Sequence, residues 1–271
     1  MNVKRPKVMG ILNVTPDSFS DGGHYSTLTQ AVARAFALID EGADMLDIGG
    51  ESTRPGAPYV SSEDEIVRTV PVISAIREKA RELESDITLS IDTRKPDVAE
   101  AAILAGADIW NDVTALTYHE RSLAVAADLG CPVILMHMQG TPKTMQAAPR
   151  YDNVVGEVST YLAARARAAQ AAGVEHIILD PGIGFGKTLA DNLALLANVS
   201  EFKSLGYPLL LGTSRKSFIG KIDGSSVDRR LGGSLASALY GAQSGVDILR
   251  VHDVFETVQA LKVWEDIDNE I

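Results

Sequence analysis

The sequence predicts a single-domain (β/α)8 (TIM) barrel that spans residues 1–271. Eight short apolar runs alternate with eight amphipathic or alanine-rich stretches along the whole chain, and glycine-containing joints such as 42–44 and 106–108 lead into the apolar runs. This alternation is typical of a parallel sheet covered by helices, and eight repeats fit a closed barrel. A doubly wound open sheet is the alternative, because the same alternation supports it.

Each predicted element has its own local signal. The strand candidates are short and almost wholly apolar, as in strands buried on both faces, and they span 7–12, 44–49, 87–92, 108–111, 132–136, 176–180, 208–212 and 247–251. Several helix candidates begin with helix-start chemistry, such as Ser62 before Glu65 and Pro96 near a first turn. The predicted helices span 29–41, 63–82, 96–105, 120–129, 153–172, 189–203, 228–243 and 254–267.

The three longest connections follow the first, second and fifth strands, at 13–28, 50–61 and 137–152. In a barrel all three lie on the face where strands end and active sites form. Loops 13–28 and 50–61 are polar and glycine-rich, so we expect them to become ordered only around a ligand.

Composition excludes several classes of function. The chain carries 25 basic and 36 acidic residues, a net charge of −11, without a basic block. Nucleic-acid and anionic-membrane surfaces are therefore not expected. No apolar run has the length of a membrane span, and the N-terminal segment lacks the apolar core of a signal peptide. Cys131 is the sole cysteine, which excludes an intrachain disulfide. We expect a soluble, cytoplasmic protein.

Polar residues recur where the predicted strands end. They are Asp47, Asp92, Asn111, Asp180, Lys216, Arg250 and His252. Carboxylates at a barrel mouth are costly to bury without partners, and this set suits a ligand rich in N–H donors with at least one carbonyl, such as the edge of a pterin ring. Each aspartate alone could equally be a turn or helix cap, but that reading needs unrelated explanations at six of the eight strands.

The run DPGIGFGKT at 180–188 resembles two phosphate-binding motifs and matches neither. A Walker A loop needs glycine where Pro181 stands, and a dinucleotide fingerprint needs its third glycine where Lys187 or Leu189 stands. The run therefore predicts a sharply bent loop beside a ligand, in which Phe185 could lie against a flat ring.

Positively charged and neutral polar groups suggest an anion site. Arg250 and His252 lie two residues apart, on one side of a strand end, and Asn13 ends the neighbouring first strand. Together they suit a diphosphate, and Asn13 could offer its carbonyl oxygen to Mg2+. Arg54 lies in a loop, where an arginine is most often solvated. Ser217 opens a predicted helix as an ordinary N-cap, and such a helix start also favours a carboxylate. No residue spacing supports zinc.

Seven segments of the chain resemble the dihydropteroate synthases of folate synthesis in order and spacing. They are NVTPDSFSDGG at 13, DIGGESTRPGA at 47, IDTRKP at 91, Asn-Asp at 111–112, DPGIGFGKT at 180, GTSRKS at 212 and RVHDV at 250. Arg94 and Trp110 depart from the pattern beside the motif residues. The resemblance implies a barrel that joins 6-hydroxymethyl-7,8-dihydropterin diphosphate to p-aminobenzoate, giving 7,8-dihydropteroate and diphosphate.

The resemblance also implies roles for individual residues. The implied pterin ligands are Asp92, Asn111, Asp180 and Lys216, supported by Asp47, Met138 and Phe185. The implied diphosphate ligands are Asn13, Arg54, Arg250 and His252, with Mg2+ on Asn13. The implied p-aminobenzoate residues are Phe19, Asp21, Thr53, Pro55, Lys216 and Ser217, and the implied catalytic residues are Asp21, Arg54, Asp92 and Lys216.

The residue inventory fits the chemistry that the resemblance implies. No serine, cysteine or carboxylate is set beside a base as a covalent nucleophile, which favours a dissociative displacement through a cation delocalised over the pterin. The family further implies a homodimer formed by outer helices, with sulfonamides as competitive ligands.

Two rival functions remain open at this point. A pterin-barrel methyltransferase that serves a corrinoid partner would not need Asn13, Arg250 and His252 as a diphosphate set. A non-catalytic, pterin-binding or partner-stabilising paralogue would not need intact motifs at 13–23 and 47–57.

Overall fold

The structure, a computed structural model, describes residues 4–15, 24–52, 56–141, 144–145 and 147–270. Parallel strands form one eight-stranded sheet in the order β6-β5-β4-β3-β2-β1-β8-β7. A parallel bridge between Leu179 and Leu209 joins the two ends of this order, so the sheet closes and the barrel prediction is confirmed. The strands are β1 (Lys7–Asn13), β2 (Met45–Gly49), β3 (Thr88–Asp92), β4 (Ile109–Asp112), β5 (Val133–Met136), β6 (Ile177–Asp180), β7 (Leu210–Leu211) and β8 (Ile248–Val251).

Helices follow the strands in sequence and cover the outside of the barrel. They are α1 (His24–Asp40), α2 (Ser62–Glu82), α3 (Pro96–Leu104), α4 (Ser122–Leu129), α5 (Val154–Ala172), α6 (Leu189–Ala197), α7 (Val199–Lys203), α8 (Ser217–Asp223), α9 (Leu231–Gln243) and α10 (Val254–Asn269). None of the helices in the described chain is long and apolar enough to cross a membrane.

The structure corrects several predicted boundaries. Helix α1 begins at His24, so the connection after β1 is shorter than the predicted loop 13–28. The first turn of this helix is mostly polar in sequence and so lacks the apolar periodicity on which the predicted start at 29 rested. The predicted helix 189–203 is broken at Asn198, whose side chain donates to the carbonyl of Ala194 (2.8 Å) and so competes with the helix backbone. The N-cap of α2 is Ser61, which accepts a hydrogen bond from the Asp64 amide.

Side chains alternate between two cores along each strand. Residues such as Val8, Leu46 and Leu249 face the helices, whereas Met9, Met45, Ile109, Ile134, Ile178, Leu210 and Ile248 form a separate cluster inside the barrel. Because the side-chain period of a strand is two, the next inward positions towards the strand ends are Asp47, Asn111, Asp180 and Arg250. The barrel interior is thus apolar at its base and polar at its mouth.

Candidate active site

Arg250 connects two carboxylates at the mouth of the barrel. Its Nε donates to Asp47 Oδ2 (2.5 Å), and its Nη2 donates to Asp92 Oδ2 (2.7 Å). The Asn111 amide donates to the same Asp47 oxygen (3.1 Å). Strands β8, β2, β3 and β4 therefore contribute one hydrogen-bonded cluster, as the strand-end pattern predicted.

Burial and charge set the ionisation of this cluster. Burial raises the pKa of Asp92 to about 7, although Arg250 acts in the opposite direction and Asp47 adds to the rise. Burial alone would lower the pKa of Arg250, but Asp47 and Asp92 raise it above its ordinary value. Asp47 is fully buried and its Oδ1 contacts no donor among the described residues. This oxygen is an acceptor that a ligand N–H or a water would satisfy.

The loop after β6 places an aromatic ring beside a lysine. Asp180 accepts a hydrogen bond from the Gly182 amide (2.7 Å), and burial raises its pKa. The Lys216 ammonium lies 4.0 Å from the centre of the Phe185 ring, which is a cation–π distance. A Cβ on Gly184 would come within 3.1 Å of the Lys216 side chain, so glycine lets the loop approach closely.

His252 contacts the hydroxyl of Ser214. The Ser214 hydroxyl lies 3.1 Å from both the backbone nitrogen and Nδ1 of His252. Burial, followed by the charge of Arg250, lowers the pKa of His252 to about 4, so its imidazole is neutral near pH 7.

The prediction that Ser217 is an N-cap is wrong: the N-cap of α8 is Lys216, without a side-chain capping bond, and Ser217 is the first helical residue.

Asn13 ends β1 beside Gly49 of β2. A Cβ built on Gly49 would lie 3.9 Å from Asn13 Oδ1 and 3.6 Å from the Asp92 Cβ. In the described part of the chain, no group of three histidine, cysteine or acidic residues is arranged to hold a metal ion. A cation at Asn13 would therefore depend on a ligand for most of its coordination.

A second charged cluster, which the sequence did not predict, lies where the loop after β2 begins and ends. Glu51 Oε1 accepts hydrogen bonds from the Val60 amide and Arg94 Nη2, both 3.1 Å away. Its Oε2 accepts from Lys95 Nζ (2.9 Å), which also pairs with the fully buried Glu65. The sequence feature that could have predicted this cluster is the pair of adjacent positive charges, Arg94 and Lys95, just after Asp92. Through them, both ends of the loop are attached to the segment that follows β3.

The remaining predicted site residues are less informative. Met138 follows β5 and is half-buried. Phe19, Asp21, Thr53, Arg54 and Pro55 lie outside the described residues. The parts of the two predicted loops that lie outside are 16–23 and 53–55.

Comparison with known proteins identifies relatives over nearly the whole chain. The profile of the family described as pterin binding enzyme matches residues 9–252. The dihydropteroate synthase of Escherichia coli K12 is 48% identical over 98% of this chain and 93% of its own. A Xanthomonas albilineans dihydropteroate synthase solved with 4-aminobenzoic acid is 49% identical, with a TM-score of 0.90 over 98% of this chain and 94% of its own. A Yersinia pestis dihydropteroate synthase in a sulfonamide drug complex is 45% identical, with a TM-score of 0.91 over 99% and 96%.

Proposed function

We infer that this chain, which belongs to the dihydropteroate synthase family of pterin binding enzymes, makes dihydropteroate at its polar barrel mouth. The enzyme is a transferase of folate synthesis that joins a dihydropterin diphosphate to p-aminobenzoate. The observation that carries this assignment is the change of the inward-facing side chains from apolar to polar at the strand ends.

The pterin would bind between the carboxylates and the Phe185 loop. Asp180 and Asp92 offer acceptors to the amino and ring N–H groups, and Asn111 and Lys216 offer donors to ring carbonyl or nitrogen atoms. Asp47 supports the cluster from behind through Asn111 and Arg250. Met138 and Phe185 would contact the faces or edges of the ring.

The reaction we propose is a dissociative displacement. The carbon–oxygen bond to the diphosphate breaks first, which leaves a cation delocalised over the pterin. The amine of p-aminobenzoate then attacks this cation, and the new carbon–nitrogen bond is followed by loss of one N–H proton to water or to the departing diphosphate. Buried carboxylates at Asp47, Asp92 and Asp180 favour that positive charge in a site of low dielectric constant. Holding the amine close supplies the remaining acceleration.

The diphosphate would leave towards Asn13, Arg54, Arg250 and His252. Neutral His252 can donate one hydrogen bond, and Arg250 brings a permanent positive charge. We propose Mg2+ as the companion ion with Asn13 as its protein ligand, because Mg2+ takes few protein ligands beside phosphates and water. The ion would neutralise charge that develops on the leaving diphosphate.

The p-aminobenzoate site that we propose includes Phe19, Asp21, Thr53, Pro55, Lys216 and Ser217. Lys216 is the member that the structure describes next to the pterin-facing Phe185, so it can act at the junction of the two substrates. The Xanthomonas albilineans enzyme was solved with 4-aminobenzoic acid and the Yersinia pestis enzyme with a sulfonamide drug. We propose that both classes of molecule compete for this site.

We also propose a cytoplasmic homodimer. Large apolar side chains stand exposed on the outer helices α9 and α10, namely Tyr240, Phe255, Val263 and Ile267. Exposed apolar side chains of this kind fit contact with a second copy of the chain better than solvent, and sedimentation of the purified protein measures its mass directly. The cytoplasmic location rests on the acidic composition and the single cysteine.

An assay for diphosphate release tests the function. Incubation with dihydropterin diphosphate, p-aminobenzoate and Mg2+ should release diphosphate and form dihydropteroate in equal amounts. A methyltransferase would bind the pterin without releasing diphosphate, and a non-catalytic paralogue would bind it without product. Either result would refute the proposed synthesis.

A further inference from the structure

Lys187 is a buried lysine for which the proposed reaction has no use. Its side chain is 1% exposed, and it belongs to the DPGIGFGKT run that fails as a phosphate-binding loop. Its Nζ contacts Phe185 O (2.9 Å), His137 O (3.3 Å) and His137 Nδ1 (3.0 Å). None of the ion pairs in the described chain includes Lys187. A buried lysine is costly, so the three acceptors call for an explanation.

These contacts join the loop after β6 to the end of β5. The two segments are already so close that a Cβ on Gly182 would lie 2.0 Å from His137 O, and one on Gly186 would lie 2.6 Å from Gln139 O. The Tyr151 hydroxyl adds a hydrogen bond to Gly186 O (2.8 Å). Lys187 therefore fills the centre of a tight backbone junction between Asp180, where β6 ends, and α6.

His137 is arranged as an acceptor for Lys187. Burial, and then the charge of Lys187, lower the pKa of His137 to about 3, so its imidazole is neutral. Its ring packs edge-on against Tyr161, with centroids 4.9 Å apart. When Lys187 is protonated, Nδ1 must be the unprotonated nitrogen that receives its hydrogen bond.

We propose that Lys187 is a positioning residue of the pterin site, which acts through the backbone of Phe185 and the neighbouring Asp180. Its hydrogen bond to Phe185 O fixes the residue whose ring faces Lys216. Lys187 also contacts the carbonyl of His137, against which Gly182 packs, and the Gly182 amide donates to Asp180 (2.7 Å). This inference rests on the proposed function, because it assigns Phe185 and Asp180 to the pterin.

The test compares Lys187→Met with two control variants. Lys203→Met changes a partly exposed lysine whose Nζ donates to Asp247 Oδ2 (2.6 Å). This pair lies at the end of the barrel opposite the mouth. Leu261→Ala removes core volume on α10 and lowers stability away from the mouth. We expect calorimetry to show a dihydropterin diphosphate Kd raised about tenfold or more in Lys187→Met alone. The substitution removes the buried hydrogen bonds that hold the loop carrying Phe185 in its binding position. The KM for p-aminobenzoate at saturating pterin should stay unchanged.

A second pair of variants separates positioning from stability. His137→Asn keeps an acceptor near the position of Nδ1 and should retain pterin affinity, whereas His137→Leu should lose it. Combining Lys187→Met with His137→Leu removes both polar partners, so stability should recover relative to Lys187→Met while pterin affinity stays low.

The outcomes are distinguishable from failure of the proposed function. If the unaltered enzyme makes no dihydropteroate, the function itself is wrong. If it does, and folded Lys187→Met binds dihydropterin diphosphate as well as the unaltered enzyme, the positioning role is refuted. Parallel losses of pterin and p-aminobenzoate affinity, matched by Leu261→Ala, would also refute it, because they would show a merely structural role.

Discussion

Replacing Arg250 by methionine tests the electrostatics of the barrel mouth most directly. Methionine keeps much of the length and apolar stem of arginine but removes the donors to Asp47 Oδ2 and Asp92 Oδ2, now 2.5 and 2.7 Å away. Asp47 is fully buried and, among the described residues, Arg250 is the cation that pairs with it, so its carboxylate would lose that partner. We expect Arg250→Met to lower the free energy of unfolding by about 3–5 kcal/mol near neutral pH, the usual cost of removing one partner of a buried ion pair.

The size of this loss should depend on pH. The pKa of Asp92 is about 7 with Arg250 in place, and it must rise further without that positive charge. Below about pH 7 Asp92 is protonated with or without Arg250, so less of the charge is left uncompensated. Above pH 7 Asp92 has released its proton in the original protein but not in the variant. The difference between their free energies of unfolding therefore grows by about 1.4 kcal/mol per pH unit. Between about pH 5.5 and pH 8.5 the variant should therefore lose roughly 2 kcal/mol more than the original.

Urea unfolding at these two pH values measures the effect. Arg215→Met is the matched control, because Arg215 pairs with Asp253 but is itself about two-fifths exposed. A pair with one solvated partner contributes about 1 kcal/mol or less, and Arg215 pairs with neither Asp47 nor Asp92, so the loss of stability in Arg215→Met should hardly vary with pH. A loss in Arg250→Met that is equal at both pH values would show that Arg250 packs at the mouth without neutralising Asp92.

Further predictions concern ligands and Lys187. Asp180→Asn replaces an acceptor-only group by one that also donates, and calorimetry should show pterin binding weaker by roughly 2–4 kcal/mol; unchanged affinity in the folded variant would contradict the assignment. p-Aminobenzoate should bind weakly alone and well with diphosphate and Mg2+, because Phe19 and Thr53 belong to the same two sequence loops as Asn13 and Arg54; equal affinity in both titrations would show a preformed site. Burial lowers the pKa of Lys187 from 10.5 to about 7. Between pH 7 and pH 10.5, therefore, the lysine is protonated in the unfolded state and deprotonated in the native state. Stability should rise with pH in that window, by at most about 1.4 kcal/mol per pH unit, and Lys187→Met should lack that slope.

The sequence was sufficient to predict the barrel because its strands carry a strong local signal. Every predicted strand is present, and boundaries such as 132–136 and 176–180 agree with β5 and β6 to within one residue. Two boundary errors have a local cause. At Asn198 a polar side chain competes with the helix backbone, and at His24 the first turn of the helix is mostly polar. The pattern of apolar residues records neither feature.

The sequence also predicted which residues meet at the mouth, since parallel strands of one barrel end on the same face. It did not predict their partners. Arg250 was assigned to an anion, yet in the protein alone it holds Asp47 and Asp92. Glu51 and Lys187 were missed for a related reason: their partners, Val60, Lys95 and His137, lie in other segments, and only folding shows that these side chains are buried.

The two roles of Arg250 are compatible on the proposed mechanism. Without substrate, its charge keeps Asp47 and Asp92 from facing each other uncompensated. When diphosphate begins to leave, negative charge develops on the side of Asn13 and His252, and positive charge develops on the pterin beside the carboxylates. The guanidinium can then be attracted towards the diphosphate at little cost, because the pterin cation replaces it as the partner of Asp47 and Asp92. Such an exchange favours the transition state over the bound substrate, which is the condition for catalysis.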